Sequence, residues 1–404
     1  MSVEITSVKK LALLMAGKAQ LLAGSIREVL KDEKSDAGEE LRQQFYRMRE
    51  ALMSTVEEEN FADWYAQTIV YALFAARYHD QNLDTFSRQE AAELIPQSNP
   101  FLRKLFQRIG VYDLDTRVAW IIDDLVGVFG ATDVRRLLDS EKSTAHDPIM
   151  LFYEDFLTAY DPARRKARGV YYTPSPVVAF IVRAVDELLQ HEFGLRDGLA
   201  DRSTVLNAKA NPVHRLQILD PATGTGTFLA EVVRTIYRKF VGQQGVWNDY
   251  VRDHLLPRLH GYEILMAPYA MAHLNLEYVF RETGATNLGD ARYGIYLTNT
   301  LENQRFDGNL FSPIDQEAQA ANALKRNMRV MVMLGNPPYR RDSENKSRWL
   351  DILMQSYKEG LGDERIIRAL SDDYIKFIRY AQYQIESTGE GIIAFVTNNS
   401  FLDG

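Results

Sequence analysis

Asn336, Pro337, Pro338 and Tyr339 stand directly behind the apolar run Val330-Met331-Val332-Met333-Leu334-Gly335. This places an amide, a stiff kink and an aromatic face at a strand's carboxyl edge, where open α/β sheets bind ligands. These are the parts needed to hold an exocyclic amino group and to stack the ring that carries it. Stacking needs the tyrosine ring and not its hydroxyl.

Upstream, Leu216-Gln217-Ile218-Leu219-Asp220 reads as a buried strand and Pro221-Ala222-Thr223-Gly224-Thr225-Gly226 as the turn behind it. A helix beginning near Thr227 continues through Leu229, Val232, Val233, Ile236 and Phe240 on a helical period. Gly224 and Gly226 allow torsions and close approach denied to larger residues, and the free N–H groups at the helix start favour a carboxylate or another anion. A nucleotide-binding loop and a plain tight turn use the same residues. Leu259-His260-Gly261-Tyr262-Glu263 reads as the next strand, ending in the residue type that grips ribose hydroxyls in this fold class. Gly169-Val170-Tyr171-Tyr172-Thr173-Pro174 leads into a helix with Pro176 in its first turn, and Thr173 stands in capping position.

The order Tyr-Tyr-Thr-Pro, Asp-Pro-Ala-Thr-Gly-Thr-Gly, Glu263, Asn-Pro-Pro-Tyr resembles the gamma-group amino-methyltransferases of DNA, over about Tyr171 to Phe401. Leu297-Thr298-Asn299-Thr300-Leu301 and the helical region ahead of the core resemble the modification part of type ISP, or single-chain type I, restriction-modification enzymes. The resemblance implies a Rossmann-like class I methyltransferase sheet flanked by helices and preceded by an all-helical N-terminal domain, S-adenosylmethionine as cofactor, and methylation of adenine at N6. It assigns Tyr172, Thr173, Asp220, Pro221, Ala222, Gly224 and Gly226 to the cofactor, with Thr173 on its methionine part. Glu263 takes the ribose, and Asn299 or its neighbour Thr300 lies near the cofactor's adenine. Asn336 and the Pro337 carbonyl accept from the target amine, Pro338 stiffens the motif, and Tyr339 stacks on a base extruded from the duplex. Gly391 to Thr397, followed by Asn398-Asn399-Ser400-Phe401, matches a later strand and loop of the same core. In the family the remaining core elements and the target-recognition domain follow that point, so the core is expected to be incomplete here and the recognition domain absent.

The 404-residue chain has no cysteine. Methylation of cytosine at C5 needs a thiolate nucleophile and is excluded; disulfides and thiolate metal sites go with it. His214, His254, His260 and His273 have no ligand spacing, and no metal is assigned. Lys18 and later polar residues interrupt the short apolar stretch Leu11 to Ala16, and no run approaches a membrane span, so a cytoplasmic protein is expected.

Residues 1–160 read as a helical, coupler-like domain, with amphipathic stretches at Val8–Leu30, Leu41–Glu57, Asp63–Tyr78 and Val118–Phe129, and breaks near Ser35–Gly38 and Ile95–Pro100. Residues 161–404 form the methyltransferase core. Glu57-Glu58-Glu59 and Asp123-Asp124 read as solvated helix faces. No Gly-x-x-x-x-Gly-Lys-Ser/Thr sequence occurs, so a motor or nuclease is expected as a separate module or subunit. The net charge of −8 argues against a uniformly basic surface. Arg164-Arg165-Lys166-Ala167-Arg168 and Arg340-Arg341 nevertheless flank the two motifs, where they serve either as solvated loop charge or as phosphate contacts to double-stranded DNA. Arg196–Pro212, Gln304–Gln319 and Asp342–Arg348 read as polar loops near the cleft. Three other activities share these motifs: N4-cytosine methylation of DNA, methylation of a protein glutamine, and cofactor binding by an inactive scaffold.

Overall fold

The computed structural model describes residues 5–111, 114–140, 148–160, 173–207, 210–286, 288–289, 291–302, 312–339, 343, 345–361 and 370–399. Two compact units divide the chain: Met1–Arg165 with Leu265–Asn275 and Asp307–Ala318, and Lys166–Ile264 with Leu276–Phe306 and Gln319–Gly404.

The N-terminal region is helical because apolar residues recur there on one face with little glycine or proline to interrupt them. Its helices are α1 (Val8–Lys31), α2 (Glu39–Ala51), α3 (Glu58–His79), α4 (Arg88–Leu94), α5 (Pro100–Val111), α6 (Thr116–Gly130), α7 (Val134–Ser140) and α8 (Pro148–Tyr160). Ser7 caps α1 by accepting the Lys10 N–H at 3.2 Å, and Leu11, Met15, Ala19, Leu22 and Ile26 form its buried face. That face packs on α3 and α8. α3 is buried on every side from Phe61 to Tyr78, and its Phe74 stacks on Phe152 of α8 at 4.0 Å between ring centroids. Arg77, inside α3, pairs with Asp80 and donates to the carbonyls of Asn82 and Leu83, behind α3, and of Gly130 and Thr132, at the C-terminal end of α6.

Three of the expected helices lie within α1, α3 and α6. The helix expected over Leu41–Glu57 stops at Ala51: Leu52 and Val56 turn into the core, and Glu57 begins the next helix as its N-cap. The acidic run therefore sits at the α3 N-terminus, where the helix dipole favours it. Asp123 and Asp124 pair with Arg88 and Lys18 on the exposed side of α6.

The remaining elements are α9 (Ser175–His191), β1 (Thr204–Leu206), β2 (Pro212–His214), β3 (Ile218–Asp220), α10 (Thr227–Arg238), α11 (Gln244–Tyr250), β4 (Leu259–Glu263), α12 (Met266–Glu282), β5 (Gly294–Leu297), α13 (Pro313–Asn327), β6 (Val332–Gly335), α14 (Arg348–Lys358), α15 (Asp373–Thr388) and β7 (Ile392–Phe395). Among the described residues, five strands form a parallel, Rossmann-like sheet in the order β5-β4-β3-β6-β7, with Ile218 opposite both Leu259 and Val332. Every residue of β3, β4 and β6 is buried, as expected of a parallel sheet covered on both faces. Leu219, Tyr262, Met333, Leu350, Met354, Phe377 and Tyr380 form one core cluster between sheet and helices.

Two of the expected loops contain regular structure. Arg196–Pro212 holds a 3-10 turn at Gly198–Ala200 and the strand β1, which pairs antiparallel with β2. The turn is fixed by Asp186, which accepts the Leu199 N–H at 2.7 Å. Of Gln304–Gln319, residues 304–311 lie outside the described residues, and the chain from Pro313 onward is already α13. Among the described residues no helix is long and apolar enough to cross a membrane.

Candidate active site

The chain passes outward from β3 to β4 and β5, then returns to the other side of β3 to form β6 and β7. The order of strands therefore reverses between β3 and β6. Such a switch point opens a crevice at the strands' carboxyl ends, because the connections on its two sides diverge. Asp220 ends β3 and Gly335 ends β6, so the glycine turn and the Asn-Pro-Pro-Tyr motif leave neighbouring strands at this crevice. Glu263 ends β4 and Thr298 to Thr300 follow β5.

The turn after β3 is held from within and from β4. Thr223 donates its hydroxyl to the Asp220 carbonyl at 3.0 Å and its N–H to the Tyr262 carbonyl at 2.9 Å; the Gly226 N–H closes a tight turn onto the Thr223 carbonyl at 2.9 Å. Gly224 and Gly226 lie in the left-handed region at φ 54° and 81°, and Gly226 is the N-cap of α10. The freedom inferred for both glycines is thus used. Glu263 spans the gap, with one carboxylate oxygen accepting the Gly224 N–H at 2.8 Å and the other its neighbour Ile264 at 2.9 Å. Pro221 accepts from the Thr300 hydroxyl, which joins the loop after β5 to the same turn.

Asp220 is fully buried. One oxygen accepts the Ala222 N–H at 3.1 Å, and the other has no hydrogen-bond partner among the described residues. Burial pushes this carboxyl up to about 8; the Ala222 N–H opposes that rise and the charge of Glu263 adds to it. Gly335 leaves the room Asp220 occupies, since a Cβ at that position would lie 2.5 Å from its carboxylate oxygen. Gly261 does the same for Thr223. Neither glycine was singled out in the sequence; each marks a close approach visible only once the strands are paired.

On the other side of the crevice, Pro337 and Pro338 lack the N–H that would extend β6, so the chain leaves the sheet there. Asn336 Nδ2 donates to the Thr173 hydroxyl at 3.0 Å, and Asn336 Oδ1 accepts from the Tyr339 hydroxyl. That hydroxyl also lies 3.1 Å from the Val396 carbonyl, behind β7, and burial pushes the phenol up to about 12. The capping account of Thr173 is overturned. The N-cap of α9 is Pro174, without a side-chain cap bond, and the buried Thr173 hydroxyl faces Asn336 instead. The Tyr339 hydroxyl, dispensable for stacking, has partners of its own.

Asn299 is buried; its Oδ1 accepts the Leu301 N–H at 3.0 Å and its Nδ2 donates to Asn345 Oδ1 at 2.9 Å. From beneath the same loop, Lys325 of α13 donates to Thr298 Oγ1 at 3.0 Å and to the carbonyls of Asn299 and Glu302 at 2.5 and 3.0 Å. Burial pushes its ammonium down to about 7. Lys325 and Tyr374 carry no local motif, and the sequence reading missed them; Asn345 and Val396 fall within the segments Asp342–Arg348 and Gly391–Thr397, which the sequence marked without giving either residue a role. The structure thus brings together Thr173, Asp220, Pro221, Ala222, Gly224, Gly226, Glu263, Asn299, Thr300, Asn336, Pro337, Pro338 and Tyr339 at one sheet edge. Tyr172, Arg164 to Arg168, Arg340, Arg341, Asp342, Ser400 and Phe401 lie outside the described residues.

Residues 145–403 match the protein family described as N-6 DNA Methylase. Among solved structures, the chain is similar to a nuclease-deletion mutant of the Type ISP restriction-modification enzyme LlaGI in complex with a DNA substrate mimic, at TM-score 0.68 and 20% identity, over 99% of this chain and 30% of that one. It is similar to the ATP-dependent Type ISP restriction-modification enzyme LlaBIII bound to DNA, at 0.69 and 22%, over 98% and 25%. The DrdV–DNA complex gives 0.64 and 24%, over 98% and 36%. The likeness is one of fold, and the chain spans a quarter to about a third of those proteins' length. No curated protein matches.

Proposed function

Because the chain belongs to the N-6 DNA Methylase family, we propose that residues 161–404 are the catalytic core of a DNA adenine-N6 methyltransferase that takes its methyl group from S-adenosylmethionine, within a restriction-modification or phage-defence system. One observation carries this reading: Asp220 and Asn336 leave adjacent strands at the switch point of the sheet, so a cofactor pocket and an amine acceptor share one crevice.

The residues fit the cofactor. Asp220 offers a buried carboxylate oxygen without a partner, suited to an ammonium or hydroxyl donor. Glu263 is anchored by two N–H groups at the carboxyl end of β4, the position and residue type that grip ribose hydroxyls in this fold class. The open side of Gly224, where an added Cβ would meet nothing within 4 Å, leaves backbone accessible. Asn299 and Thr300 border the pocket from β5. When bound, the cofactor supplies an electrophilic methyl group on a sulfonium.

An exocyclic amine conjugated with its ring is a poor nucleophile. Asn336 Oδ1 and the Pro337 carbonyl, accepting its two hydrogens, favour a more tetrahedral nitrogen whose lone pair is free to attack. Tyr339 donates its hydroxyl to Asn336 Oδ1 and so orients the amide. Thr173 fixes the amide from its nitrogen end. Holding amine and methyl group in a near-attack arrangement supplies much of the acceleration. The adenine leaves the duplex at a cost of a few kcal/mol, offset in part by stacking on the Tyr339 ring. The helices found among the described residues of 1–160 support the coupler role for that region, with a nuclease or motor module as partner.

Calorimetric titration of S-adenosylmethionine, with radiolabelled methyl transfer to duplex DNA and chromatography of the digested nucleosides, tests the reading. Label in N6-methyladenine is expected. Label in N4-methylcytosine or in protein glutamine would replace the substrate, and absence of cofactor binding would remove the assignment.

A further inference from the structure

Behind the Asn-Pro-Pro-Tyr motif the described chain resumes at Ser343 and Asn345. Both are gripped by the first turn of α15. Asp373 Oδ1 accepts from the Ser343 hydroxyl and from Asn345 Nδ2, the latter at 3.0 Å. One turn along, Lys376 Nζ donates to Ser343 Oγ and to the Asn345 carbonyl, each at 2.7 Å. Asp373, Lys376 and Ser343 are all buried, so the cluster is shielded from water, and each bond holds more firmly than it would at the surface.

Two contacts carry this cluster to both sides of the crevice. Asn345 Oδ1 accepts from Asn299 Nδ2 at 2.9 Å, which reaches the loop after β5 on the proposed cofactor side. Tyr374, next to Asp373, sets its ring edge-on to Tyr339 at 6.4 Å between centroids, on the proposed target side. A buried network made only to pack a loop would need neither end. A single helical turn here holds the chain segment behind the acceptor motif, touches that motif's tyrosine, and reaches the pocket loop through one asparagine.

We propose that Asn345 and Asp373 are positioning residues that couple cofactor binding to the order of the segment behind Tyr339, with Asn345 as the link. The proposal rests on the assignment of the cofactor pocket made above. Contacts made to the loop of Asn299 when the pocket fills restrain Asn345, and through Asp373 restrain residues 345–350 beside the target motif. Linkage makes the effect reciprocal: ordering of that segment by a target tightens the cofactor.

Hydrogen–deuterium exchange of the full chain, with and without saturating S-adenosylmethionine, tests this. In the wild type, amides of residues 345–350 should exchange several-fold more slowly with cofactor. Asn345→Ala should lose that response while its calorimetric Kd stays within about threefold of wild type. Ser343→Ala, which keeps the bond between Asn299 and Asn345, should retain the response, and Asp373→Asn should reduce it. Cofactor binding without altered exchange at 345–350 in the wild type overturns the coupling, as does an equal loss in Ser343→Ala and Asn345→Ala, which marks plain packing. Failure of the wild type to bind cofactor is a separate result: it removes the pocket assignment and the coupling with it.

Discussion

The side-chain amide of Asn336 donates to the hydroxyl of Thr173 at 3.0 Å across 163 residues of sequence. The bond fixes the orientation of the amide: its nitrogen is engaged by Thr173, and Oδ1 is the accepting end, which takes the Tyr339 hydroxyl. Thr173→Val keeps the shape and removes the partner. Single-turnover methyl transfer by that variant should fall about tenfold, the loss of roughly one ordinary hydrogen bond. Asn336→Ala should fall at least about a hundredfold with cofactor Kd within about threefold, as when a preorganised polar group is removed. Equal loss of cofactor affinity in Asn336→Ala and Asp220→Ala would sink the division of roles.

On the proposed reading Tyr339 carries two functions in one side chain. Stacking needs its ring, and orientation of Asn336 needs its hydroxyl. Tyr339→Phe should therefore slow single-turnover transfer several-fold, and Tyr339→Ala considerably more. Wild-type rates in the phenylalanine variant would strip the hydroxyl of its orienting role.

Asp220 ties the pocket to pH. Its folded value of about 8 stands above the ordinary 3.8, so between those values the folded chain holds more protons than the unfolded one. Its contribution to stability is present in full below about pH 4 and is lost as pH rises through about 8. Asp220→Asn should flatten the pH profile of Tm between pH 4 and 8 and be the more stable protein above it, while binding S-adenosylmethionine less tightly. At pH 7 the wild type should release a proton on taking up the cationic cofactor. Calorimetry in two buffers of different ionisation enthalpy measures that release, and identical heats in both would contradict it.

Lys325 works in the opposite sense. Its folded value, lowered to about 7 from 10.5, means that the unfolded chain holds the extra proton between those values. Stability therefore rises with pH across that window as far as this group decides it. Lys325→Met should remove that rise, and by freeing the carbonyls of Asn299 and Glu302 should weaken cofactor binding several-fold. Thermal melts from pH 6 to 10 check the first expectation and calorimetry the second.

Gly335→Ala introduces a Cβ against the Asp220 carboxylate. A loss of about 1–3 kcal/mol in denaturant unfolding is expected, the range for overpacking, together with weaker cofactor binding because the Asp220 carboxylate is the group displaced. Wild-type affinity in a destabilised variant would separate the glycine from the pocket.

The sequence by itself determined the local elements. Buried strands followed by turn and helix, glycines where φ turns positive, and prolines where β6 ends are all written in residue type and period. Each depends on the chemistry of a few neighbouring residues. The C-terminal end of α2 and the 3-10 turn inside Arg196–Pro212 escaped because Leu52, Val56 and Asp186 act through packing and long-range bonds that no local pattern records. Only the tertiary structure turned Thr173 from a helix cap into a partner of Asn336, and only it set Gly335 against Asp220, Lys325 beneath Asn299, and Asn345 between the pocket loop and α15. All of those pairings follow from the strand order β5-β4-β3-β6-β7, which gathers distant loops at one sheet edge. A hydrophobic period tells a strand that it is buried and leaves its neighbours unspecified; the pairing of whole strands decides which loops share the crevice.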